Sequence, residues 1–207
     1  MKQNKINKKF VYLISPNKIT DISFYNDLAL VLSTKKISFF QLRLKDETNS
    51  NKLIIGRKIK KICKKYKVKF LINDDPLLAK KLNADGCHLG QKDMDLIKAR
   101  KILKNKIIGV TCHNSIDLAK RAIEAEADYL AFGAFYATKT KRVKHRASLT
   151  VLKSIKKITS LPIVAIGGIK LSNYKKLLLN KANFLAISSY VWNNKNYKPL
   201  EAIKKLK

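Results

Sequence analysis

The chain has 207 residues, with 45 lysines and arginines against 14 aspartates and glutamates, a formal net charge of +31. That length allows one domain, or two small ones, with a real core, and a hydrophobic content of 46% argues against disorder despite the charge. Three cysteines (Cys63, Cys87, Cys112) form no CxxC pair and no even framework, which excludes a disulfide-stapled mini-protein and fits a reducing, cytoplasmic setting.

The charge is mostly lysine, and only Arg43, Arg57, Arg100, Arg121, Arg142 and Arg146 are arginines. Lysine spread over the whole chain, without interleaved aromatics, reads as solvated helix faces rather than a nucleic-acid stripe. No nucleic-acid partner is expected. Residues 1–9 form a basic N-terminal extension, and the apolar run that follows is too short for a signal segment or a membrane span. A homo-oligomer remains compatible with the composition.

From residue 10 onward one pattern repeats. A short apolar run predicts a strand at 10–14, and helical spacing follows at 23–34. A strand at 37–42 precedes a helix at 51–66. Next come a strand at 68–72 with a helix at 75–83, and a strand at 86–89 with a helix at 93–104. Strands at 106–110 and 128–132 follow, with helices at 115–126 and 148–160. A strand at 162–166, a helix at 172–181 and a last strand at 183–187 complete the series. Ser23, Asp93, Ser115, Ser148 and Ser172 are the expected N-caps. Eight strands alternating with helices, with no linker between them, predict a single-domain (βα)8 TIM barrel of near-minimal length over residues 10–207. A doubly wound open sheet is the rival.

A barrel carries its active site at the carboxyl ends of its strands. After the second strand, period-two spacing puts Gln41, Arg43 and Lys45 on one side, two cations and an amide suited to a polyanion such as a pyrophosphate. The alternative is an exposed strand end. Asp74 and Asp93 follow the third and fourth strands and could converge on one Mg²⁺, which needs one or two carboxylates plus waters and phosphates. Equally, Asp93 could be a helix cap and Asp75 a turn residue before Pro76. Thr111 and His113 share a face by simple alternation, and His113 is a candidate for a polar catalytic or positioning role, whereas His88 reads as structural. Thr138, Lys139, Thr140 and Lys141 make an anion-binding loop, or else a basic solvent loop. Gly167 and Gly168 after the seventh strand, with Ser188 after the eighth, stand where barrels bind a phosphate.

Taken together, QLRLKD, NDDPLLA, ADGCHLGQKDM, GVTCH, ADYLAFGAFYATKTK, PIVAIGGI and AISS resemble the thiamine-phosphate synthase family, in family order, over residues 10–192. The resemblance implies a transferase that joins 4-amino-2-methyl-5-hydroxymethylpyrimidine diphosphate to a thiazole phosphate or its carboxylate, through a carbocation-like, Mg²⁺-dependent step. By that resemblance Gln41, Arg43, Lys45 and Asn73 contact the pyrimidine diphosphate, and Thr111 lies near the pyrimidine, while His113 is a substrate-binding candidate by its place after the fifth strand. Thr138 and Thr140 contact the thiazole phosphate. Lys141 contacts the pyrophosphate. Gly168, Ile187 and Ser188 cradle the thiazole phosphate, and Asp74 and Asp93 hold Mg²⁺. Lys45, Lys141 and Arg43 are then the catalytic cations. Two departures stand out: Ala134 and Ala137 where many members have proline, and a stretch at 180–183 one residue short. A thiazole tautomerase with His113 as acid–base is the alternative within the same barrel group. A basic nucleic-acid-binding barrel is the alternative outside it.

Overall fold

Eight short parallel strands pair in chain order and close on themselves: β1 (Val11–Ile14), β2 (Ile37–Leu42), β3 (Lys69–Asn73), β4 (Gly86–Leu89), β5 (Ile107–His113), β6 (Tyr129–Gly133), β7 (Ile163–Ile166) and β8 (Phe184–Ile187). This computed structural model describes residues 9–138 and 146–207. The (βα)8 barrel expected from the sequence is the observed fold, and the open sheet is not. The largest difference among the strands is at β5, which runs on to His113 through a bulge.

The expected helices are present as α1 (Ser23–Ser33), α2 (Asn49–Lys65), α3 (Pro76–Lys81), α4 (Leu96–Leu103), α5 (Ile116–Glu124), α6 (Leu149–Ile155) and α7 (Tyr174–Leu179). Two further helices, α8 (Ser189–Trp192) and α9 (Pro199–Lys205), were not expected. Among the described residues, no helix is long and apolar enough to cross a membrane.

The caps differ from expectation in instructive ways. Ser115 does accept from the Leu118 N–H. Asp21, however, takes the Ser23 N–H and shifts the α1 cap to Ile22. Asp95 rather than Asp93 caps α4, accepting from Ile97 and Lys98. Ser148 occupies its cap position without a side-chain cap bond, and Asn173 replaces Ser172. Thr48 and Asp75 cap α2 and α3, the latter with Pro76 in the first helical turn.

One clasp recurs at the amino ends of the strands. Asp85, Asp128 and Asn183 each precede an even-numbered strand. Their side chains accept the backbone N–H of Phe70, Ile108 and Ile163 at 2.9, 2.7 and 2.8 Å. Their own N–H groups return a bond to the carbonyls of the same three residues at 2.8 Å. Each clasp satisfies backbone groups at the barrel floor and pins the register above it. Asn183 does this despite the shortened 180–183 stretch, and Ile187 still pairs with Leu13. Asp128 also takes Arg100 Nη2 at 2.7 Å. Asp128→Ala leaves the Ile108 N–H without its side-chain acceptor. We expect it to lower stability by about 2 kcal/mol, read by chemical denaturation.

Most apolar side chains pack between sheet and helices. A second, inner cluster fills the barrel: Tyr12, Ile14, Leu71, Tyr129, Ala131, Val164 and Ala186. The Tyr129 ring lies against Gly109, where a Cβ would stand 1.9 Å from the phenol carbon. A bare backbone there is what admits a large ring to the barrel interior.

Candidate functional site

The strand-two end carries three of the expected residues, and the structure separates their environments. Gln41 is buried at 2% exposure, and its amide donates to Tyr12 Oη at 2.7 Å. Arg43 lies just past the strand. Its backbone N–H donates to Ser15 Oγ at 2.9 Å, and its guanidinium donates to Asn17 Oδ1 at 2.6 Å. Burial lowers its pKa, and the nearby Asp74 and Asp46 oppose that shift. Lys45 stands 4.0 Å from Asp74 Oδ2. Asn17 and Ser15 were missed in the sequence, because nothing in the Ser-Pro-Asn turn signals that it faces the next strand.

Asp74 and Asp93 do converge. Asp74 takes a left-handed backbone (φ 64°), held by its N–H on the His88 carbonyl at 2.8 Å. An aspartate tolerates that conformation better than most residues, and strain of this kind clusters at functional sites. The fourth-strand turn brings Asp93 back. Its Oδ2 accepts the Gly90 N–H at 2.6 Å, and a Cβ at Gly90 would stand 2.8 Å from the same oxygen. Asp93 is thus released from capping, since Asp95 performs it. Burial and the hydrogen-bonded, like-charged Asp93 push the Asp74 carboxyl up to about 6, against Lys45 and Asn73, which favour its charged form. Two half-buried carboxylates pressed together call for a cation. Among the described residues no group of three or more His, Cys, Asp or Glu converges into a cage. The pair therefore suits Mg²⁺, which keeps waters and takes phosphate oxygens. A cleft of about 250 Å³ opens beside it, lined by Lys45, Lys52, Asn73, Asp74 and Asp75 among others. Lys52, in the first turn of α2, was not anticipated.

Thr111 and His113 are parted by the β5 bulge. Thr111 Oγ1 meets His88 Nε2 at 2.8 Å inside the barrel. His113 has φ 53° and pairs with Phe132, whose side chain packs in the outer cluster. The extra residue breaks the alternation that would have put both on one face.

On the far side, the strand-six and strand-seven loops are zipped together. Phe135 and Tyr136 donate from their backbones to Ile166 and Gly167 at 3.1 Å. Gly168 (φ 62°) packs so closely that a Cβ would stand 2.3 Å from the Ala137 carbonyl oxygen. Ser188 donates to the Ser15 carbonyl at 3.2 Å, and Ile187 is buried beside it. Thr138 is half-buried at the end of the described strand-six loop. Thr140 and Lys141, with Lys139 and Arg142, lie outside the described residues.

The comparisons with known proteins agree with one another. The family described as Thiamine monophosphate synthase matches residues 11–191. The chain is 90% identical over 207 residues to the thiamine-phosphate synthase of Pelagibacter ubique (strain HTCC1062), covering 100% of both. It is 41% identical to that of Hyphomonas neptunium (strain ATCC 15444), over 90% of this chain and 87% of the other. Among solved structures, a thiamine phosphate pyrophosphorylase from Pyrococcus furiosus superimposes with a TM-score of 0.84 at 27% identity, covering 98% and 96% of the two chains. A 3-hexulose-6-phosphate synthase, at 16% identity and a TM-score of 0.65, shares the fold alone.

Proposed function

Because the chain belongs to the thiamine-phosphate synthase family and makes thiamine phosphate, we propose that its mouth works as two anion sites around a dissociative alkyl transfer. The carboxylate pair Asp74 and Asp93 carries this reading. These two residues would hold Mg²⁺, which when bound supplies charge neutralisation to a departing diphosphate.

The chain's own residues do the rest. Lys45, beside Asp74, and Arg43, fixed by Asn17, offer cations to the pyrimidine diphosphate. As the bond from the exocyclic carbon to the diphosphate oxygen breaks, the electron pair leaves with that oxygen, where the cations stabilise it. The aminopyrimidine donates electrons to the cationic carbon, and the thiazole nitrogen attacks it. Gln41, Asn73 and Thr111 position the pyrimidine half. Thr138, Thr140, Gly168, Ile187 and Ser188 hold the thiazole phosphate. Lys141 completes the pyrophosphate contacts. Holding two charged reactants in line supplies most of the remaining acceleration. The tautomerase alternative has no diphosphate for Arg43, Lys45 and the carboxylate pair to serve.

The test is direct. Given Mg²⁺ and both phosphorylated precursors, the enzyme is expected to form thiamine phosphate and pyrophosphate in equal amounts. Lys45→Ala is expected to lose ~10²-fold in turnover, on the scale of a lost transition-state donor. Unchanged turnover in Lys45→Ala would remove it from the site.

A further inference from the structure

Beneath the mouth, Gln41 and Thr111 are joined by a single file of hydrogen bonds. Gln41 Nε2 donates to Tyr12 Oη at 2.7 Å. Tyr12 Oη lies 2.8 Å from Tyr129 Oη, which lies 2.8 Å from His88 Nδ1. His88 Nε2 lies 2.8 Å from Thr111 Oγ1. Five strands contribute one residue each: β2, β1, β6, β4 and β5. Gln41, Tyr12, Tyr129 and His88 are all buried.

With the Gln41 amide nitrogen facing Tyr12, counting hydrogens gives the direction of the row. The Tyr12 oxygen already accepts the amide hydrogen of Gln41, so the acceptor for its own hydrogen is the Tyr129 oxygen. Reversing that bond would strand a hydroxyl hydrogen on a phenol that is 1% exposed, and buried donors are seldom left unmade. The Tyr129 hydrogen then passes to His88 Nδ1, which must offer a lone pair. The His88 ring hydrogen is therefore on Nε2 and goes to Thr111 Oγ1. Thr111 keeps its own hydroxyl hydrogen to give. Gln41, with one amide hydrogen committed below, keeps its carbonyl oxygen to receive. Burial raises both phenols, so each retains the hydrogen the row needs.

The core does not require these hydroxyls for packing. Phe39 and Phe184 fill neighbouring positions as plain rings, with Phe39 stacked on Tyr12 at 5.3 Å. Gly109 lacks the Cβ that would collide with the Tyr129 ring, so the backbone is shaped around it.

Resting on the reading that Gln41 and Thr111 meet the pyrimidine, we propose that Tyr12, Tyr129 and His88 are positioning residues that hold His88 as the neutral Nε2–H tautomer, making Thr111 a donor and Gln41 an acceptor. A ring with an acceptor nitrogen at the Thr111 end and a donor amino group at the Gln41 end matches this polarity. A ring with the pattern reversed finds neither the Thr111 hydroxyl hydrogen nor the Gln41 carbonyl oxygen usable, and has only the second Gln41 amide hydrogen and the spare Thr111 lone pair to meet. No proton is transferred along the row.

Two measurements test this on the intact enzyme. The first is the ¹⁵N spectrum of protein labelled in its histidine rings, with the His88 signals assigned by their loss in His88→Gln. The expected spectrum shows a neutral His88 ring, protonated at Nε2 and unprotonated at Nδ1. An Nδ1–H ring or a charged ring at neutral pH overturns the proposal. The second is the split of kinetic constants. Tyr129→Phe and His88→Leu are expected to raise KM for the pyrimidine diphosphate roughly tenfold and to leave KM for the thiazole phosphate unchanged. His88→Gln, whose side-chain nitrogen can also donate to Thr111, is expected to recover most of the loss. Equal rises in both KM values, or no recovery in His88→Gln, overturn the positioning role. Thr111→Val with an unchanged pyrimidine KM and the expected spectrum would instead overturn the pocket assignment, leaving the tautomer standing.

Discussion

Asp93→Ala is expected to lower turnover by at least ~10²-fold with both substrates saturating. The structure makes this variant clean. Helix α4 keeps its cap, because Asp95 supplies both cap bonds, so the element following Asp93 has no need of it. The lost contacts are the bond to the Gly90 N–H and the hydrogen bond to Asp74, and the gain is relief of Asp74 from a like-charged neighbour. We therefore expect the metal-free stability to stay within about 1 kcal/mol of wild type while activity falls. Steady-state assays beside thermal denaturation separate the two. Wild-type turnover in Asp93→Ala would remove the carboxylate pair from the mechanism.

The largest expected loss of stability comes from one methyl group. Gly109→Ala puts a Cβ 1.9 Å from Tyr129 Cζ and 2.2 Å from its two neighbouring ring carbons. The ring cannot yield easily. It lies edge-on to Tyr12, stacks on His88 and is bonded at its hydroxyl on two sides. Overpacking of this kind costs about 3 kcal/mol, or a melting temperature lower by roughly 6–12 °C for a chain of this size. Calorimetry reads it directly. The double change Gly109→Ala with Tyr129→Ala frees the space and is expected to cost less than the sum of the two single changes.

The fold was legible because each strand is a brief apolar run between polar clusters, and eight of them in 207 residues leave little room for anything but a minimal barrel. Caps were less legible. Asp21, Asp93 and Asp95 are equally plausible by residue type, and only the turn geometry decides which one meets a helix N–H. The convergence of Asp74 and Asp93 could be anticipated from their places after consecutive strands. The His113 face could not, because a bulge in β5 leaves no mark in the alternation. Least legible was the row from Gln41 to Thr111. Tyr12 and Tyr129 stand 117 residues apart and read in the sequence as ordinary strand aromatics. Barrel closure alone brings them together. The charge of +31 was the loudest feature of the sequence and told least about function. At the strand-two and strand-three end the described residues include the cations Arg43, Lys45 and Lys52.

The carboxylate pair as the Mg²⁺ site is the claim on which the account turns, and Mn²⁺ binding followed by electron paramagnetic resonance tests it most directly. Mn²⁺ takes oxygen-rich sites of the same kind as Mg²⁺, and its free-ion signal disappears on binding. With pyrophosphate present, the wild-type protein is expected to remove one equivalent of Mn²⁺ signal beyond what pyrophosphate alone removes, and Mg²⁺ to restore it by competition. The Asp74→Asn, Asp93→Asn double variant is expected to remove none. Equal uptake by wild type and double variant would contradict the account.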